Sequence, residues 1–165
     1  MPNVHERLYV EAPYTQAAGA FELRLGLSSS KPHGTCSLTL ALPVSEGHEI
    51  ARLVTARTER LTSGNYTSTY RIAWDPGSTR RGIPTPGFAG TLTLAAGEDY
   101  GETKLELDGS YDPPGGAAGR AFDQLIGRRF AHATLSALLG GVGDELRVTH
   151  ERIEAEKHRS SGAVT

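Results

Sequence analysis

Cysteine is almost missing from this chain. Cys36 is the only one in 165 residues, so no disulfide can form within it. Long apolar runs are missing too. No stretch approaches the roughly 20 apolar residues of a membrane-spanning helix. The opening MPNVHERLYVEAPY holds no apolar run of signal-peptide length. A cytoplasmic protein with no membrane span is the expectation. There is no basic excess either: 17 Lys and Arg against 19 Asp and Glu give a net charge of −2. That removes the electrostatic ground for a nucleic-acid partner.

Motifs of catalysis and cofactor binding are equally scarce. The six histidines form no metal-ligand spacing, and HERIEAEKH (150–158) reads as a solvated helix end. No G-x-S-x-G elbow occurs, and Cys36 has no base evident in the sequence. Glu106 and Asp108 alternate with Leu105 and Leu107, so they face solvent, and no carboxylate pair stands out as acid and base. GGAAG (115–119) follows a strand and opens a helix, but no strand follows that helix. Without a βαβ unit there is nothing to hold a dinucleotide. No catalytic residue, metal or cofactor is assigned.

What the chain does have is turn chemistry and strands. Twenty glycines and nine prolines punctuate it as SEG, SGN, DPGSTRRGIPTPG, GEDYG and DPPGG. Between them, apolar and polar residues alternate in Val4–Glu11, Cys36–Leu42, His48–Leu61, Tyr66–Asp75, Phe88–Ala96 and Glu102–Tyr111. Short links between successive strands imply hairpins and an antiparallel sheet. After the first strand, Tyr14, Ala17, Ala18, Phe21 and Leu25 recur at helical spacing and predict one short helix. The order is strand, helix, five strands, long helix. It reads as an α+β domain of about six antiparallel strands with helices on one face.

The last helix is predicted from about Gly116 to about Lys157, and RSSGAVT (159–165) as a frayed tail. Pro113 and Pro114 stop the sheet, because proline lacks the ladder N–H, and proline is tolerated in a first helical turn. Gly127, Phe130, Ala131, Thr134, Leu135, Leu138, Leu139, Val142 and Leu146 form one stripe facing the sheet. The stripe is small in its first half and bulky in its second. The small half either leaves a cavity or permits close helix–sheet packing. Gly140, Gly141 and Gly143 each cost about 1 kcal/mol relative to alanine in a helix interior and are candidates for a kink or break.

On Tyr66–Asp75, the residues Tyr66, Ser68, Tyr70, Ile72 and Trp74 share a face that points to the helix. That face is either a pocket wall with a few polar handles or ordinary core. Arg57 is a buried cation or a solvated one. The competing apolar row Ile50, Val54 and Ala56 favours solvation. The loop DPGSTRRGIPTPG carries Arg80 and Arg81, which are either solvated or placed to attract an anion at a cavity mouth.

WDP (74–76), PGFAGTLTL (86–94) and TKLELDGSYDPPGGAAGRAFDQLIGRRFAHATLSALL (103–139) resemble the polyketide-cyclase-like members of the SRPBCC (START-like, helix-grip) superfamily. The similarity is clearest from Trp74 to Leu146. It implies a helix-grip fold: a curved antiparallel sheet wrapped around the C-terminal helix, enclosing a hydrophobic cavity. Members bind lipids, polyketides, hormones or other apolar molecules, and some are enzymes. Two departures are visible. One short helix stands where members commonly have two, and a seventh strand is not evident.

The expectation is therefore a single domain over 1–158 that binds a small apolar or amphipathic molecule between sheet and helix. Tyr70, Trp74, Phe88, Tyr111, Gly127, Ala131 and Thr134 are the candidate ligand-binding residues. An enzyme on the same scaffold (cyclase, dehydratase or hydrolase-like) and a cavity-poor protein–protein adaptor are the alternatives. A homodimer stays open.

Overall fold

A computed structural model describes residues 3–45, 48–77, 85–112 and 123–162, leaving aside the side chains of 42–45, 49 and 123–127. The elements are β1 (Asn3–Val10), α1 (Tyr14–Arg24), β2 (His33–Ser45), β3 (His48–Ser63), β4 (Thr67–Trp74), β5 (Gly87–Ala96), β6 (Thr103–Asp112) and α2 (Asp123–Ser161). The six strands form one sheet in the order β1-β6-β5-β4-β3-β2, every neighbouring pair antiparallel. Strands β2 to β6 are a meander, and β1 returns to close on β6.

The two-residue period sorts each strand. On β4, Ser68, Tyr70, Ile72 and Trp74 are buried while Thr67 and Arg71 are exposed. On β3 it is Val54, Ala56 and Thr58 that turn inward. Arg57 is on the outer face and pairs with exposed Asp75 at 2.7 Å. The solvated reading of Arg57 is the observed one. Glu106 and Asp108 also lie on the outer face, where they pair with Arg7 and His5.

Helix α2 shows how the sheet bends. Its backbone comes near β1 and β2, at the two opposite edges of the sheet, far more than near the middle strands β3 to β5. Only a sheet curled around the helix brings both of its edges to one rod. Large side chains fill the interval over the middle strands: Tyr70, Ile72, Trp74, Leu92 and Leu94 from below, Phe130, Leu135 and Leu138 from above, all buried. Fully burying such a side chain stabilises by about 1.5–3 kcal/mol.

The predicted stripe is the buried one. Phe130, Ala131, Thr134, Leu135, Leu138 and Val142 are inside, and Leu139 and Leu146 are partly so. Arg129, His132, Ser136, Asp144 and Arg147 face water. The helix does not break at its glycines, and it continues through Ser161, past the expected end near Lys157. Gly141 instead lies under the side chain of Arg24 from α1, where a β-carbon would come within 2.3 Å of Arg24 Nε. The expected helical start at 116–122, the loop arginines Arg80 and Arg81, and the Pro113–Pro114 corner lie outside the described residues. No described helix is long and apolar enough to cross a membrane.

Candidate ligand site between sheet and helix

Register brings three of the sequence-predicted residues side by side. Trp74 at the end of β4 pairs with Phe88 on β5, and Phe88 pairs with Tyr111 on β6. All three point inward and are almost fully buried. Phe130 descends on them from α2. Trp74 and Phe88 stack at 4.8 Å between ring centroids, and Trp74 meets Phe130 edge-on at 5.8 Å. Phe88 and Tyr111 lie 6.5 and 6.0 Å from Phe130. These separations fall in the range where aromatic pairs add about 0.5–1.5 kcal/mol beyond burial.

Ala131 and Thr134 sit beside Phe130 on the same buried face of α2. Phe130 belonged to the predicted stripe but not to the predicted site. Its adjacency to Ala131 along the helix was the available signal. Gly127 belongs to α2, one turn before Ala131, and its surroundings lie outside the described residues.

Two polar groups at this end are turned aside. Trp74 donates its Nε1–H to the carbonyl of Pro86 at 3.0 Å. Thr134 donates its hydroxyl to the carbonyl of Phe130, one turn back, at 2.9 Å. The rings of Trp74, Phe88, Tyr111 and Phe130 form the greater part of the surface here. Its floor has one built-in gap. Gly90 and Gly109 are register partners on β5 and β6, and neither has a side chain to cover the sheet. The tip of the Phe88 ring lies over them, 2.8 and 2.7 Å from where their β-carbons would be.

Tyr70 is placed apart from the cluster, nearer the other end of β4. Its hydroxyl donates to Glu22 of α1 at 3.3 Å, and Arg60 donates to the same carboxylate oxygen at 2.8 Å. Burial pushes the Tyr70 hydroxyl up to about 12. The adjacent Ser68 hydroxyl partly opposes this, while the nearby Glu22 and Tyr14 reinforce it. Burial also raises the Cys36 thiol, with Arg24 partly offsetting the effect, so Cys36 is a neutral core residue at ordinary pH. Among the described residues, no three His, Cys, Asp or Glu side chains converge on a metal site.

Two surface clefts open elsewhere. One, of about 520 Å³, lies between α1 and the β3–β4 turn. The other, of about 530 Å³, lies on the outer face beside His5 and Asp108.

No family model matches the chain, and no curated protein matches its sequence. Solved structures do resemble it. The protein TTHA0849 from Thermus thermophilus aligns with a TM-score of 0.52 at 13% identity, over 90% of this chain and 99% of its own. The Zhui aromatase/cyclase from Streptomyces sp. R1128 aligns with a TM-score of 0.52 at 16% identity, over 90% of this chain and 97% of its own. At such identities the likeness speaks to architecture alone. The chain has the helix-grip fold: a curved, six-stranded antiparallel sheet around a long C-terminal helix, with one short helix after the first strand.

Proposed function

We propose that the chain is a binding protein of the SRPBCC type and holds a small apolar or amphipathic molecule between sheet and α2, at the aromatic cluster. The observation that carries this reading is the position of α2. Its backbone is near both edge strands and stands off the middle of the sheet, and aromatic side chains span the interval. Binding sites for apolar molecules combine such aromatic walls with few polar groups.

Room for the guest comes from Phe88. Its ring rests over Gly90 and Gly109, where no side chain competes for the space. A rotation of that ring hands the glycine-floored bay to a planar guest, which then lies between Trp74 and the small residues Gly127, Ala131 and Thr134. Each 100 Å² of apolar surface so buried contributes about 2.5 kcal/mol. Stacked and edge-on rings of Trp74, Phe88, Tyr111 and Phe130 suit the holding of a planar apolar guest.

Native mass spectrometry of protein purified from its own host tests the reading. The expected result is a retained small molecule, lost in Gly127→Leu and Ala131→Phe while far-UV circular dichroism stays unchanged. Unfolding of both variants, or a wild-type protein that never carries or takes up an apolar guest, contradicts it.

A further inference from the structure

The cleft between α1 and the β3–β4 turn is unlike the aromatic cluster in every respect. The two lie at opposite ends of β4, roughly 20 Å apart at 3.3 Å per strand residue. One wall is α1, and that wall is low. A β-carbon at Gly19 would meet nothing within 4 Å. The opposite wall is the turn bearing Asn65 and Tyr66, and Tyr66 is 67% exposed.

The floor is polar and built. Tyr14 and Ser68 are buried to within 7% and 2% of full occlusion. Tyr14 donates its hydroxyl proton to the carbonyl of Gly64 at 3.0 Å. The 2.5 Å contact between Tyr14 and Ser68 is then one in which Ser68 donates. Among the described residues, Glu22 is the only acidic or basic side chain lining the cleft. Arg60 and Tyr70 both donate to its Oε1, so the charge is already balanced from behind. Buried polar networks of this kind carry a desolvation cost that an apolar packing would avoid. Here the network lies directly beneath an open cleft.

We propose that this cleft is a second ligand site, and that it takes a neutral ring rich in hydroxyl groups, of the saccharide or polyol class. The lining holds no cation for a phosphate, and its one carboxylate, Glu22, is already engaged by Arg60 rather than left for a free amine. It offers hydroxyls, an amide and carboxylate lone pairs, which both give and accept hydrogen bonds. The exposed Tyr66 ring supplies a flat apolar surface for the C–H face of a sugar ring, and Gly19 leaves room for that ring to settle.

The test is a titration of the full ¹⁵N-labelled chain, followed by amide shifts. The probes are methyl glycosides of glucose, galactose and mannose, and myo-inositol, with inorganic phosphate and propylamine as controls. The expected result is saturable shifts at Gly19, Gly64, Asn65 and Tyr66 for at least one hydroxylated probe. A dissociation constant of roughly millimolar order suits so small a contact. Trp74 fluorescence should stay constant throughout, which separates this site from the aromatic cluster. Gly19→Leu fills the cleft with a better helix former, and Tyr66→Ala removes the platform. Each should weaken binding by roughly tenfold or more. The proposal is overturned if no hydroxylated probe saturates, if phosphate or propylamine saturates instead, or if Gly19→Leu and Tyr66→Ala bind as wild type does.

Discussion

Replacing the three mid-helix glycines of α2 one at a time tests whether the grip helix is one continuous rod. Gly140, Gly141 and Gly143 all lie within Asp123–Ser161, and positive φ among the described residues occurs only at Gly26. Alanine is favoured over glycine in a helix interior by about 0.8–1.0 kcal/mol. A β-carbon at Gly140 or Gly143 would meet nothing within 4 Å, so each site should gain about that amount. Gly141 differs. Its β-carbon would come within 2.3 Å of Arg24 Nε and 2.8 Å of Arg24 Cδ. The obstacle is the end of a flexible side chain, and Arg24 Nε has no hydrogen-bond partner among the described residues. Moving it forfeits packing but no hydrogen bond, so Gly141→Ala should gain less than its neighbours. Urea unfolding with a fixed m-value is the assay. For a chain of this size, 1 kcal/mol corresponds to a rise in Tm of roughly 2–4 °C. Losses of about 1 kcal/mol at Gly140 and Gly143 would refute the reasoning, because they would mean that these glycines serve a bend.

Further outcomes are expected elsewhere. Gly90→Ala should destabilise at the upper end of the roughly 1–3 kcal/mol typical of overpacking, since its β-carbon would sit 2.3 Å from the carbonyl oxygen of Asp108, which is backbone and cannot step aside; a neutral substitution in thermal unfolding would contradict the bay described under Phe88. Leu135→Ala should cost about 2–5 kcal/mol in urea unfolding, as Leu135 is fully buried under the helix; a loss below about 1 kcal/mol would mean the seam is loose there. Tyr70 holds its proton more tightly when folded than the ordinary value of 10.0, at about 12. Its contribution to stability is therefore full below pH 10 and lost as pH rises toward 12. The unfolding free energy should fall across that window in wild type and fall less in Tyr70→Phe. Cys36 should react with a thiol probe such as Ellman's reagent only as the chain opens, because burial keeps it protonated and covered; rapid labelling in native buffer would contradict its place in the core.

The strands were legible because each alternates cleanly and is bounded by turn residues. β3 and β6 begin or end within two residues of their expected limits. The inward face of β4 from Ser68 to Trp74 and the buried stripe of α2 followed from period 2 and period 3.6 alone, whereas Tyr66, expected on that inward face, is exposed in the turn before β4. The hairpin pairing of successive strands was legible from their short links, but register and closure were not. Local pattern does not fix which residue lies opposite which, so the return of β1 to β6 and the row Trp74, Phe88, Tyr111 appeared only in three dimensions. Tyr70 shows the same limit. Its face was read correctly, but its engagement with Glu22 depends on how α1 crosses the sheet. The cleft beside Gly19 carried no sequence signal, because a single glycine in a helical pattern is as often neutral as purposeful.

Trp74 is the chain's single tryptophan and sits within the aromatic cluster, so its emission reports on the proposed site directly. Titration with 8-anilinonaphthalene-1-sulfonate, a planar amphipathic probe, is the most direct measurement. Saturable quenching of Trp74 at one probe per chain, abolished in folded Ala131→Phe, is the expected result. Emission that does not respond to the probe, or quenching unchanged in that variant, would contradict a guest held between sheet and helix.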